Sequence, residues 1–151
     1  MSQKINFFKK VLLASVFLFS IANTSYSKDL EIKENNISEK EIISKIKGNM
    51  HTFQTMLETY AIEHNGIYPK SATELLQEAK KLKYYKNISN PFGKDLGFVS
   101  DTKKAITKGI LIYIPIRDSN CKIASYEIFA NLEEKKHIKD KNGEDFYLSN
   151  D

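Results

Sequence analysis

Residues 38–69 read SEKEIISKIKGNMHTFQTMLETYAIEHNGIYP. Ser38 stands where a side-chain oxygen can accept from the free N–H groups of a first helical turn, and Glu41 follows at the spacing of a capping box. Ile37 and Ile42 have the spacing of a hydrophobic staple across that cap. Apolar side chains then recur in steps of three and four at Ile43, Ile46, Met50, Phe53, Leu57 and Tyr60, widened by Ile42, Met56 and Ala61. Lys45, Lys47, His51, Thr52, Thr55, Glu58 and Thr59 fall away from the centre of that stripe. A single apolar face of this regularity predicts a helix that lies against another layer. Gly66 suits a left-handed residue after the last turn, Ile67 is placed to fold back on Ile62, and Pro69 prevents the helix from resuming. About 26 residues at ~1.5 Å each give a rod of roughly 39 Å.

Upstream, residues 1–27 have the plan of a secretory leader. Lys4, Lys9 and Lys10 precede the apolar run Val11 to Ala22, and Ser25-Tyr26-Ser27 offers small residues for cleavage before Lys28. Twelve apolar residues fall short of the roughly 20 that cross a bilayer, so no stable membrane span is expected after the leader is removed. The full chain has 23 basic and 19 acidic residues; without the leader there are 20 and 19, a formal charge of +1. No basic stripe interleaved with aromatics stands out, which argues against nucleic acid as a partner. The expected organisation is a leader at 1–27, a polar tether at 28–37 and one domain at 38–151.

Beyond Pro69, Ser71 and Glu74 form a second capping box, and Leu75, Leu76, Ala79 and Leu82 line a short helix ending near Lys83. Tyr84 to Ser100 carries Asn90-Pro91, Gly93 and Gly97 and reads as a loop, with Phe92, Leu96 and Phe98 expected to pin it to the core. Ile110 to Ile116 and Ala124 to Ala130 are β-branched and aromatic runs about a turn at Arg117 to Lys122, hence a hairpin with Pro115 at an edge or an end. An Asn142-Gly143 turn between His137–Lys139 and Phe146–Leu148 predicts a second hairpin. The class is α+β: a long amphipathic helix packed on a small antiparallel sheet of three to four strands.

This order resembles the globular part of type IV pilins, above all the pilin-like proteins of competence systems and the major pseudopilin of type II secretion. The residues that carry the resemblance are Asn65-Gly66-Ile67-Tyr68-Pro69 after the helix, Asn90-Pro91-Phe92 in the loop, Gly109-Ile110-Leu111-Ile112-Tyr113 opening the sheet, and the closing Asn142-Gly143 and Phe146-Tyr147-Leu148-Ser149-Asn150. It covers roughly residues 43–151. Members of that family carry a leader cut after a Gly and a long apolar stem with an early Glu; here no Gly precedes Val11 and no acid sits in the apolar run. The resemblance therefore implies a non-catalytic, exported pilin-like domain, periplasmic or secreted, associated with a pilus or secretion apparatus and lacking the filament stem. The alternative is a stand-alone exported module that binds an ion or small ligand on the same scaffold.

The resemblance also suggests calcium in a loop beside the sheet, on Asp140, Asn142, Glu144 and Asp145. Hard oxygens at alternate positions around a Gly suit that ion, although the distal bidentate acid of a full calcium loop is missing; the other reading is a solvated hairpin turn. Asp95 and Asp101 are weaker versions of the same idea. Ile42, Ile46, Tyr84 and Tyr85 are the candidate contacts to a pilin-like or secretion-apparatus partner, against the reading that the isoleucines simply cover the sheet. His51, His64 and His137 form no His-x-x-x-His pair and are expected at the solvent or the rim. No Gly-x-Ser-x-Gly elbow or phosphate-cradling glycine loop occurs, so no enzyme is expected. Cys121, the single cysteine, is expected as a small semi-buried side chain near a strand turn, or as a thiol able to cross-link to a partner.

Overall fold

The long helix, α1, runs from Glu39 to Glu63 and starts one residue after Ser38. In the computed structural model, residues 38–150 are described; the leader expected at 1–27, the tether expected at 28–37 and Ile37, the expected staple residue, lie outside them. Seven side chains of α1 are buried, Ile46, Met50, Phe53, Met56, Leu57, Tyr60 and Ala61, which is the predicted stripe without its first turn. Ile42 and Ile43 are half-buried against the same core. Its end is a left-handed cap: Gly66 has φ +81°, and its N–H donates to the Ala61 carbonyl at 2.8 Å. Asn65 is left-handed as well, at φ +55°. Ile62 does not fold under Ile67 as expected but stays 79% exposed, because its position faces away from the stripe.

The second helix, α2, spans Ala72–Lys81. Ser71 Oγ accepts from the Glu74 N–H at 3.1 Å, and Glu74 reaches back to the Lys70 N–H at 2.7 Å, one residue beyond the partner that a capping box supplies. A further orphan donor, the Ala72 N–H, is met by Asp101 Oδ1 at 2.6 Å. An acid at the positive end of a helix is favourable, so Asp101, one of the weak calcium candidates, serves as a cap. Leu75 and Ala79 are buried, whereas Leu82 is 49% exposed, since the chain turns at Lys83, which is left-handed at φ +63°.

Among the described residues five strands follow: β1 at Val99–Ser100, β2 at Leu111–Arg117, β3 at Ile123–Glu133, β4 at Lys136–His137 and β5 at Leu148–Ser149. Their order is β1-β2-β3-β4, with β5 also pairing with β3. The fold is α+β as expected, but the sheet is mixed and has five strands. β1 runs parallel to β2, in register Val99↔Leu111 and Ser100↔Ile112. The β2–β3 hairpin is the predicted one, slipping register only between Ile116 and Arg117. The strands around Asn142-Gly143 differ: β4 and β5 each pair with β3, and the isolated bridge Lys139↔Asp145 lies outside both, nearer the turn.

Because the Leu111 N–H donates to Phe98 O, the odd-numbered residues of β2 turn their backbone toward β1. β1 stops after two residues, so Pro115 sits on a flank that no strand pairs with, where its missing N–H leaves no donor unmet. The core lies between this sheet and the two helices. Leu111, Tyr113, Tyr126, Ile128 and Ala130 meet the α1 stripe, and Phe53 packs edge-on against Tyr113 at 5.9 Å. In the loop before β1, Phe92 and Phe98 rest on the core as expected, while Leu96 is exposed and lies beside Gly93 of its own loop.

Candidate functional site

The segment 140–145 is a self-satisfied turn. Asp140 Oδ1 accepts from the N–H groups of Asn142 and Glu144 at 2.8 and 2.9 Å, and Asp140 Oδ2 accepts from Asn142 Nδ2 at 3.3 Å. The Asp140 N–H donates in turn to the Glu144 carbonyl at 2.8 Å. Asp145 points elsewhere: its two oxygens accept from Lys139 Nζ at 2.6 Å and approach His137 Nδ1 at 3.1 Å. The hydrogen bond from Lys139 and then that from His137 hold the Asp145 carboxyl below the usual carboxylate range. Of the four proposed calcium ligands, Asp140 and Asn142 are thus brought together by the turn, Glu144 meets Asp140 through its backbone N–H, and Asp145 is committed to Lys139 and His137. Among the described residues no group of three or more His, Cys, Asp or Glu is arranged to hold a metal ion.

Beside this turn opens a groove of about 500 Å³. Ile43 of α1 and Leu132 of β3 supply its apolar lining; Glu39, Glu133, Lys135, Lys136, Lys139, His137 and Asp145 supply the charged and titratable part. Most of those charges are paired: Lys136 with Glu133 at 2.6 Å, and Asp145 with Lys139 and His137. The His137 ring also packs on Phe129 at 5.1 Å, and Phe129 on Tyr147 at 5.6 Å. Tyr147 is 52% exposed, which leaves one ring of that row open to solvent.

The partner candidates divide. Ile46 is fully buried in the core and Ile42 is half-buried against it, while Tyr84 and Tyr85 are half-buried on the same core. Burial, aided by the carboxylates of Glu78 and Glu63, raises the Tyr84 phenol above its ordinary value. Its hydroxyl is buried without a hydrogen-bond partner. Cys121 is exposed rather than semi-buried, because the β2–β3 turn holds it left-handed at φ +62° with its side chain outward.

A second cluster escaped the reading of the sequence. Glu58, placed off the stripe, accepts from the hydroxyls of both Tyr126 and Tyr68, at 2.5 and 3.0 Å. Glu74 accepts from Tyr60 at 3.1 Å, and the fully buried Tyr113 donates to the Pro69 carbonyl at 2.7 Å. Burial first, then the bond to Glu58, raises the Tyr126 phenol; burial and then Glu74 do so for Tyr60; burial dominates for Tyr113. His64 sits at the rim as expected, stacked on Tyr60 at 3.9 Å, with Nδ1 2.8 Å from the Tyr60 carbonyl and Nε2 3.2 Å from Glu78 Oε1. The one local signal was the spacing of Glu58 from Ala61 and Leu57, which places it at the margin of a buried face; of its tyrosine partners, Tyr68 lies just past the end of α1 and Tyr126 comes from remote chain.

Comparison of the chain with protein families, with curated proteins and with solved structures finds no match in any of the three.

Proposed function

We propose that the chain is a non-catalytic, exported, pilin-like protein, an accessory or structural component associated with a type IV pilus or type II secretion type apparatus. The observation that carries this reading is how α1 is fastened to the sheet. One stripe of the helix covers one sheet face. Tyr68-Pro69, directly after it, is tied down by the Tyr68 N–H to Ile123 O at 2.9 Å and by Tyr113 to Pro69 O at 2.7 Å. A rigid rod locked at its end to a meander is a scaffold suited to docking. Exposed Tyr147, Ile116 and Ile106 offer contacts to a partner without disturbing the core. Ile46 makes no such offer, being part of the core itself.

The test is fractionation of the native source with intact-mass analysis and cross-linking. A mature chain beginning at Lys28, in an exported fraction and cross-linked to pilin-like subunits, is the expected result. A cytoplasmic chain, or an exported one that captures no such subunit, would overturn it.

A second reading, an exported ion- or ligand-binding module, draws on the acid-rich turn 140–145 and the groove beside it. Calcium that binds only the folded state raises stability by about 2.7 kcal/mol at a hundredfold excess over Kd. A melting temperature that climbs with calcium would favour this reading over the first.

A further inference from the structure

We infer that Asn142 is a site of spontaneous backbone-mediated deamidation, and that the fold spares the chain's other Asn-Gly pair, Asn65-Gly66. The two pairs are alike in sequence chemistry: in each, an amide side chain precedes a residue with no side chain to hinder its own backbone nitrogen. Both asparagines are exposed to water. They differ in how the attacking nitrogen is held.

The reaction needs no reagent but water. The Gly143 backbone nitrogen attacks Cγ of Asn142, forming a new N–C bond and a five-membered succinimide. The Cγ–Nδ2 bond breaks, and Nδ2 leaves as ammonia with the proton that the Gly143 nitrogen gives up. Water then opens the ring, at Cγ to give aspartate or at the backbone carbonyl carbon to give isoaspartate.

At Asn65-Gly66 the nitrogen is locked. The Gly66 N–H donates to Ala61 O at 2.8 Å, within the cap that ends α1; both glycines are left-handed, but Asn65 is held left-handed too, at φ +55°, as Asn142 is not. Bringing Gly66 N onto the Asn65 side chain requires that cap to open. At Asn142-Gly143 the nitrogen makes only a 3.3 Å bond to the Asp140 carbonyl, near the limit of a useful hydrogen bond. The flanking residues 141–145 are all exposed, so the turn can rearrange without uncovering any core. The product removes the Asn142 Nδ2 bond to Asp140 Oδ2 and sets a new carboxylate among Asp140, Glu144 and Asp145.

The experiment incubates the full chain in mildly alkaline buffer and follows both sites by peptide mapping and mass spectrometry, with enzymatic methylation to detect isoaspartate. Conversion at Asn142 should outrun that at Asn65 by about tenfold, the rate factor of roughly one net hydrogen bond of the cap. The same chain in concentrated urea should convert the two sites at similar rates. Asn142→Gln, whose side chain would need a less favourable six-membered ring, should abolish the fast step. Equal rates in the folded chain, faster conversion at Asn65, no conversion at either, or a difference that persists in urea would each overturn the inference.

Discussion

The hydroxyl of Tyr126, the fourth residue of β3, donates to Glu58 Oε1 at 2.5 Å and so ties the central strand of the sheet to the second turn from the end of α1. Tyr68 donates to the other oxygen at 3.0 Å and packs edge-on against Tyr126 at 4.9 Å. One carboxylate thus joins the helix, the segment after it and the sheet.

Removing one donor from that carboxylate should be felt throughout. Tyr126→Phe is expected to cost about 1.5–3 kcal/mol, the range for a hydrogen bond to a charged group. Glu58→Ala should cost more, because two hydroxyls lose their acceptor. Urea denaturation of both variants, with Tyr68→Phe to complete a double-mutant cycle, checks the values and the coupling.

The alkaline limb of stability follows from the same rings. The Tyr60, Tyr113 and Tyr126 phenols are raised above their ordinary value in the folded chain, chiefly by burial. A raised pKa means that the contribution is complete below the unfolded value of about 10 and is lost as pH climbs from there toward the folded values. Stability measured across alkaline pH should be flat until about 10 and then fall, and Tyr126→Phe should make the fall shallower. An unchanged slope in the variant would contradict the assignment.

Acid should act on a different residue. Asp145 is held low by Lys139 and His137, so its contribution is complete above the unfolded carboxyl value of about 4 and disappears as pH drops through the lower folded value. Because the carboxylate is largely exposed, the effect is small. Asp145→Asn should remove that part of the acid limb while leaving the alkaline limb untouched, as pH-dependent melts would show.

Gly109 is the most demanding glycine. It has φ +74°, and a Cβ there would lie 2.3 Å from Asn90 Oδ1 and 2.7 Å from Phe92 Cδ2. Asn90 cannot yield easily, since its Nδ2 is held by Gly97 O and Lys108 O and its Oδ1 accepts from the Phe92 N–H. Gly109→Ala should therefore cost about 2 kcal/mol or more. Gly97→Ala, with open space around it, should stay within about 0.5 kcal/mol, as thermal melts would show.

What the sequence revealed and what it hid divide along range. The helix stripe, the Gly66 stop, the Ser71 cap and the β2–β3 hairpin rest on neighbours a few residues apart, where capping, periodicity and turn chemistry act. Hidden were β1, whose parallel pairing spans a twelve-residue separation from Val99 to Leu111, and the pairing of β4 with β3, through a turn at Glu134-Lys135 that has neither Gly nor Asn. There Lys135 itself takes φ +60°, a conformation that its residue type does not announce. The Glu58–Tyr126 bond spans 68 positions and left no local mark beyond a polar residue at the edge of an apolar face. At 140–145 the Asn142-Gly143 turn was legible, but the commitment of the Asp145 carboxylate to Lys139 depended on Lys139 lying opposite Asp145.

Pro115 finally bears on how the molecule behaves in a crowd. A bare strand flank invites a copy of itself to add on, and repeated addition leads to insoluble fibres. At Pro115 the flank lacks the donor that an incoming strand would need, and the register slip after Ile116 breaks the line immediately beyond. The open side of this sheet is thereby a poor template, and Pro115→Val would be expected to lower the concentration at which the protein stays clear.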